Sequence, residues 1–194
     1  LLITHIEWHW RMVISERIFT AEEFEQFILL PEHGDTSFEL INGRVYPVVS
    51  NNRSSRVAGN ILMSINSFAK AHRLGYVTGA DGGYVVSGQH FIPDVAFMSK
   101  ARQPQPSNET YNSQAPDLAV EVLSPTDDDS NVRLKLADYL NAGTTVWIVD
   151  PEAKTVEIYS PNKPSIKLAE SDMIDGGNVL SGFQLPVKDI FDTF

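Results

Sequence analysis

The run Leu118-Ala119-Val120-Glu121-Val122-Leu123 constrains this chain more than any other stretch. Its apolar, partly β-branched composition over strand length reads as a buried strand. One position breaks the pattern. Glu121 places a carboxylate where an ionised group without a partner would be costly enough to neutralise or to recruit one. Either Glu121 has an internal partner, or it points from the strand end toward a cation that the sequence does not display.

The rest of the chain supplies a sheet and helices around that strand. "TAEEFEQFILL" opens with Thr20 as N-cap and Glu23 three residues on, a capping box before a short amphipathic helix. "SFELINGRVYPVV" (37–49) reads as two strands joined at Asn42-Gly43, a hairpin dipeptide. From Ser54 to His72 the apolar positions Val57, Ile61, Ile65 and Phe68 repeat at helical spacing, with Gly75 closing the helix. Three β segments follow, "YVTGA", "GGYVVSG" and "FIPDVAFMS", and then a polar, proline-containing loop over 100–115. After "PDLAVEVLS" come a helix over 131–141 with Gly143 as its C′ residue, the buried strand "TTVWIVD", a meander of "TVEIYS" and "SIKLAE", and the closing "FQLPVKDIF". This order predicts an α/β (α+β) fold, a sheet flanked by helices with a β-meander appended.

A length of 194 residues suits one domain. No apolar run approaches the roughly 20 residues of a membrane span. The start, "LLITHIEWHWRMVISERIF", lacks the uninterrupted apolar core of a signal peptide. It reads as an irregular extension, or as a strand packed on the body or on a second subunit. Cysteine is absent, which excludes disulfides and thiolate zinc sites and suits a cytoplasmic protein. The net charge of −10, from 25 acids and 15 bases, is the reverse of what a nonspecific nucleic-acid binder carries.

Against that charge stands a constellation of acids in or beside strands: Glu39 in "FELING", Asp94 after Pro93 in "FIPDVAF", and Glu121. If the strands of Asp94 and Glu121 are neighbours, both carboxylates converge on one divalent cation. The backbone carbonyl of Val122 is then a further oxygen. Hard oxygen ligands suit Mg²⁺ (or Mn²⁺), which keeps several waters and can generate hydroxide beside a phosphate.

The "PD" opening one strand and "EVL" in a later one resemble the PD-(D/E)XK nuclease superfamily. More closely, the ordered set "FELINGRVYPV", "FIPDVAFM", "PDLAVEVLSPTDDD" and "KLADYLNAGTTVWIVDP" is similar to the Uma-two family of restriction-endonuclease-like proteins, over roughly residues 20 to 160. The resemblance implies one restriction-endonuclease-like domain over 1–194. Residues 1–19 form its N-terminal extension and 161–194 a C-terminal β segment. It also implies a mixed sheet, metal-dependent hydrolysis of DNA and pairing into a homodimer. Asp94 and Glu121 would hold the metal, with Lys135 and Glu39 completing the catalytic set. Two departures stand out. The superfamily's lysine follows the strand glutamate by two, where this chain has Leu123. In the Uma-two pattern the lysine lies in the next helix ahead of a tyrosine, matching Lys135 and Tyr139. A histidine that often opens the long helix is replaced here by Ser54.

Each of these residues has a plainer reading. Asp94 and Glu121 are structural carboxylates satisfied by backbone amides or by Arg and Lys, and Glu39 is an edge residue facing solvent or Arg44. Lys135 is a surface lysine, and Tyr139 and Trp147 are packing. Asp127-Asp128-Asp129 is a solvated helix N-terminus, and Asp117 a turn residue at the far end of its strand from Glu121. Positive charge at Arg53, Arg56, Lys70, Arg73, Lys100 and Arg102 is a candidate phosphate-contacting surface. The alternative to an enzyme is a nuclease-fold protein without catalysis, acting as a binding or interaction module.

Overall fold

The computed structural model describes residues 17–125 and 127–192, so the first 16 residues, with the interface role expected of them, lie outside it. Local signals set most element boundaries. Thr20 caps α1 (Ala21–Ile28): its hydroxyl accepts from the Glu23 N–H at 3.2 Å, and the Glu23 carboxylate accepts from the Thr20 N–H at 2.9 Å. A single 3₁₀ turn follows at Pro31–His33. Asn42 and Gly43 take φ of 50° and 74°, the left-handed pair that closes a tight hairpin between β1 (Phe38–Ile41) and β2 (Arg44–Pro47).

The long helix α2 (Asn52–His72) begins two residues before the expected Ser54, because the Asn51 side chain caps it by accepting from the Arg53 and Ser54 amides at 2.9 and 3.0 Å. Gly75 does not end it. Arg73 takes the left-handed C-terminal position at φ 54°, and Gly75 starts β3 (Gly75–Gly79), where an added Cβ would lie 2.0 Å from the Met98 carbonyl oxygen. Next come β4 (Gly83–Val86), β5 (Gln89–Phe91) and β6 (Val95–Ser99). "FIPDVAFMS" is therefore two strands, broken at Ile92–Asp94, as the missing N–H of Pro93 favours. The expected loop over 100–115 contains a two-residue strand, β7 (Tyr111–Asn112). Then follow β8 (Leu118–Val122), α3 (Asp129–Asn141), β9 (Thr145–Asp150), β10 (Thr155–Tyr159) and β11 (Ile166–Ala169). The chain closes with the hairpin β12 (Met173–Asp175) and β13 (Gln184–Pro186) and the short helix α4 (Val187–Phe191).

The strands form a six-stranded mixed sheet, β11-β10-β9-β8-β6-β3, and a five-stranded one, β2-β1-β5-β4-β7, beside the β12-β13 hairpin. Within the larger sheet β8 and β9 are parallel, joined through α3, while β6 runs antiparallel to β8. Side chains of β8 alternate between two cores. Leu118, Val120 and Val122 pack with Val57, Ile61 and Ile65 of α2. Ala119 faces the other way, among Ala96, Met98, Val146 and Ile148 and the smaller sheet's Ile41, Tyr84, Val86 and Phe91. A third cluster, Phe19, Phe24, Phe38, Leu40 and Val45, covers the outer face of the smaller sheet under α1. Glu121 shares the Ala119 side, so it faces the gap between the sheets. Among the described residues no helix is long and apolar enough to cross a membrane.

Candidate active site

Four elements deliver polar side chains to the gap between the two sheets. Glu39 comes from β1, Glu121 from β8, and Lys135 and Tyr139, one helical turn apart, from α3. Asp94 sits in the turn before β6. The register pairs Val95 with Val120, so one step further Asp94 stands opposite Glu121. With Asp94 in phase with Ala96 and Met98, both carboxylates lie on the face turned away from α2.

The contacts are short and mutual. The Lys135 ammonium donates to Glu39 Oε1 and to Glu121 Oε2, each at 2.8 Å. The Tyr139 hydroxyl donates to the other oxygen of Glu121 at 3.0 Å. Glu39 Oε1 also accepts the Ile92 N–H at 2.7 Å, so Glu39 faces the site rather than Arg44 or solvent. Asp94 Oδ2 accepts the Val122 N–H at 2.7 Å. Lys135, Glu39 and Glu121 are only 9%, 12% and 14% exposed at their side chains. The Phe91 ring lies 5.6 Å from the Lys135 ammonium and 5.3 Å from the Tyr139 ring. The partner that Glu121 requires is thus Lys135, with Tyr139 in support.

Burial dominates the ionisation of these groups. It pushes the Asp94 carboxyl up to about 6, with the Val122 amide and the Lys135 ammonium working against it and Asp127 and Glu39 adding to it. Burial likewise raises Glu121 above the usual carboxylate range, opposed by Lys135 and reinforced by Glu39 and Asp94. Lys135 stays firmly charged: the two glutamates outweigh the burial that would otherwise lower it.

Of the other expected residues, Asp127 and Asp128 stand at the edge of the cleft and the rest fall elsewhere. Asp128 caps α3, accepting from the Ser130 N–H at 2.7 Å, and Asp127 accepts the Ser124 N–H at 2.7 Å. Asp117 lies at the opposite end of β8 from Glu121, paired with Arg102 at 3.0 Å and accepting the Ser99 N–H at 2.7 Å. Ser54, at the helix-opening position, is buried and donates to the Leu123 carbonyl at 3.1 Å, pinning the end of β8. The six basic residues are spread along the molecule rather than gathered at the cleft. Arg53 and Arg73 sit at opposite ends of the 21-residue α2, about 30 Å apart, and Arg102 is spent on Asp117 and the Ala115 carbonyl. His5 and His9 lie outside the described residues. Tyr139, expected as packing, packs and also bonds Glu121. Its spacing of four from Lys135 was the available signal.

These groups floor a cleft of about 280 Å³, with Asp127 and Asp128 at its rim. Among the described residues no three acidic or histidine side chains are grouped as a ready-made metal cage. The cleft floor instead offers two opposed carboxylates, Asp94 and Glu121, the Lys135 amine and the edge of β8.

The family model described as "Putative restriction endonuclease", Uma2, matches residues 21–188. The chain belongs to the Uma2 family. The match reaches further along the chain than the resemblance did, taking in β11 through β13 and the start of α4. A solved structure has the same fold: the "putative nuclease belonging to DUF820" from Anabaena variabilis ATCC 29413, at a TM-score of 0.78 and 24% identity, covering 89% of this chain and 97% of that one. No curated protein matches the chain. Within the Uma2 frame, the lysine carried by α3 instead of by β8 arrives between Glu39 and Glu121 all the same, because α3 packs against β9, the neighbour of the strand that bears Glu121, and against β1, which bears Glu39.

Proposed function

We propose that this Uma2 protein is a divalent-metal-dependent DNA endonuclease that hydrolyses phosphodiester bonds. The observation that carries the reading is the placement of Asp94 opposite Glu121 on adjacent strands, with the Lys135 amine 2.8 Å from Glu121. The donor set fits Mg²⁺ or Mn²⁺. Five acids line the cleft (Glu39, Asp94, Glu121, Asp127 and Asp128) against one base, Lys135, so a cation would relieve uncompensated negative charge. Asp94 and Glu121 would hold it. The Val122 carbonyl would join them, since its N–H already points toward Asp94 and both backbone groups of a strand residue face the same edge. A cation bound there supplies Lewis acidity toward a phosphate and a more acidic water.

The protein's own groups do the rest. Glu39, fixed by the Ile92 amide, holds the Lys135 ammonium over the cleft floor. Lys135 is thereby placed to hydrogen-bond a phosphate oxygen or the attacking water. Tyr139 holds Glu121 by its second oxygen. The test is cleavage of plasmid and single-stranded DNA with Mg²⁺ or Mn²⁺, beside an EDTA control and Glu121→Ala. Cleavage that needs the metal and disappears in the variant supports the reading; cleavage that survives in Glu121→Ala overturns it.

One observation favours a second reading, a binding module without catalysis: every carboxylate at the site already has a protein partner. DNA bound but never cut in either metal, with binding intact in Asp94→Ala, would establish it. We also propose a cytoplasmic homodimer; a monomeric mass at micromolar concentration overturns that.

A further inference from the structure

The cleft has two unlike halves. Its floor is Glu39, Asp94, Glu121 and Lys135, while one lip is Tyr46, Pro47, Val48 and Val49. Tyr46 stands directly opposite Glu39 across the β1–β2 hairpin, so ring and carboxylate share the face turned to the site, with Cβ atoms about 5 Å apart. The lip is held in place. The Val48 N–H donates to the Ser37 carbonyl at 2.9 Å, and Asn51 anchors the far side by capping α2. At its crest Val49 is 66% exposed.

What such a cleft can receive follows from its charge. Nucleic acid of either form is held largely by Lys and Arg on its phosphates, so a cleft poor in them must gain its contact from the bases. Of the 18 lining residues only Lys135 is basic, and two glutamates already hold it. A volume of about 280 Å³, just under the range of small-ligand sites, is on the scale of one nucleotide. An unpaired nucleotide matches both halves: its base offers a π-face to an aromatic and apolar lip, and its phosphodiester reaches the polar floor.

Building on the nuclease reading, we propose that the substrate is unpaired DNA, a single strand or a splayed end. One base stacks on Tyr46 against Val48 and Val49, and the adjoining phosphate lies over Asp94, Glu121 and Lys135. Tyr46 and Val49 then select strandedness, because a base held in a duplex has no free face to offer them.

Fluorescence anisotropy of the full chain with a labelled oligonucleotide, single-stranded or annealed, in Ca²⁺ tests this without requiring turnover. The single strand is expected to bind at least about tenfold more tightly than the duplex, and Tyr46→Ala to weaken it by about tenfold while Tyr46→Phe does not. Val49→Asp, at an exposed position where folding is indifferent to the change, is expected to weaken it as well. Equal or tighter binding of duplex, no binding of either, or wild-type affinity in both Tyr46→Ala and Val49→Asp overturns the proposal. Failure of the nuclease reading is separable: DNA cleavage that persists in Glu121→Ala removes the metal centre but leaves the strand preference measured by anisotropy.

Discussion

The Lys135 ammonium lies 2.8 Å from the Glu121 carboxylate, joining a helix to the buried strand that precedes it. The pair answers the demand that Glu121 makes on the fold, and it cannot be opened cheaply. Removing one partner of a buried pair strands the other charge. Lys135→Met, which keeps the stem and deletes the ammonium, is expected to lower unfolding free energy by about 3–5 kcal/mol in urea titrations at neutral pH. Adding Glu121→Gln to that variant should recover part of the loss. A single variant as stable as wild type would show that the pair has no structural weight.

Tyr139 is the residue whose role extends furthest beyond packing. Tyr139→Phe keeps the ring contact with Phe91 and removes the hydrogen bond to Glu121. It is expected to cost about 1–3 kcal/mol of stability and to weaken Mn²⁺ binding about tenfold, the scale of effect seen when a group orienting a metal ligand is lost. Calorimetric titration of Mn²⁺ into the two proteins reads this directly.

Arg102 is a brace in this fold. Its guanidinium binds Asp117 and the Ala115 carbonyl, tying the loop after β6 to the start of β8. Arg102→Ala is expected to lower the melting temperature while DNA binding, measured below that temperature, stays at wild-type affinity.

Acid should loosen the core beneath α1. The His90 ring is 1% exposed, with centroids 4.9 Å from those of both Phe24 and Tyr111. Burial holds its pKa below the usual histidine value, although Glu25 pulls the other way. The unfolded chain therefore binds the proton first. Stability from the neutral ring is fully present above about pH 6.5 and is lost as pH falls from there through the folded pKa. Urea midpoints at about pH 7.5 and 5.5 should fall more in wild type than in His90→Leu. An equal fall would remove His90 as a source of acid sensitivity.

Much of the site could be read from local chemistry. Period-two alternation gave Glu121 a face, the Pro-Asp step put Asp94 at a strand entrance, and a spacing of four put Lys135 beside Tyr139. What could not be read were pairings between distant segments. Nothing near Glu39 in the chain says that it meets Lys135, 96 positions on, because that contact exists only once the smaller sheet packs over α3. Arg102 looked like a free cation for the same reason, its partner lying 15 residues away across a loop. Boundary errors were of another kind. Asn51 and Arg73 took cap positions that Ser54 and Gly75 also suited by type, and only backbone geometry decides between such candidates.

The proposed nuclease centre requires that Asp94 and Glu121 share one divalent cation. Calorimetric titration of Mn²⁺ into wild type, Asp94→Ala and Glu121→Ala measures this with no assumption about substrate. One stoichiometric site in wild type, lost in both variants while each remains folded, is the predicted result. Binding that is unchanged in both, or absent from wild type, would rule that centre out.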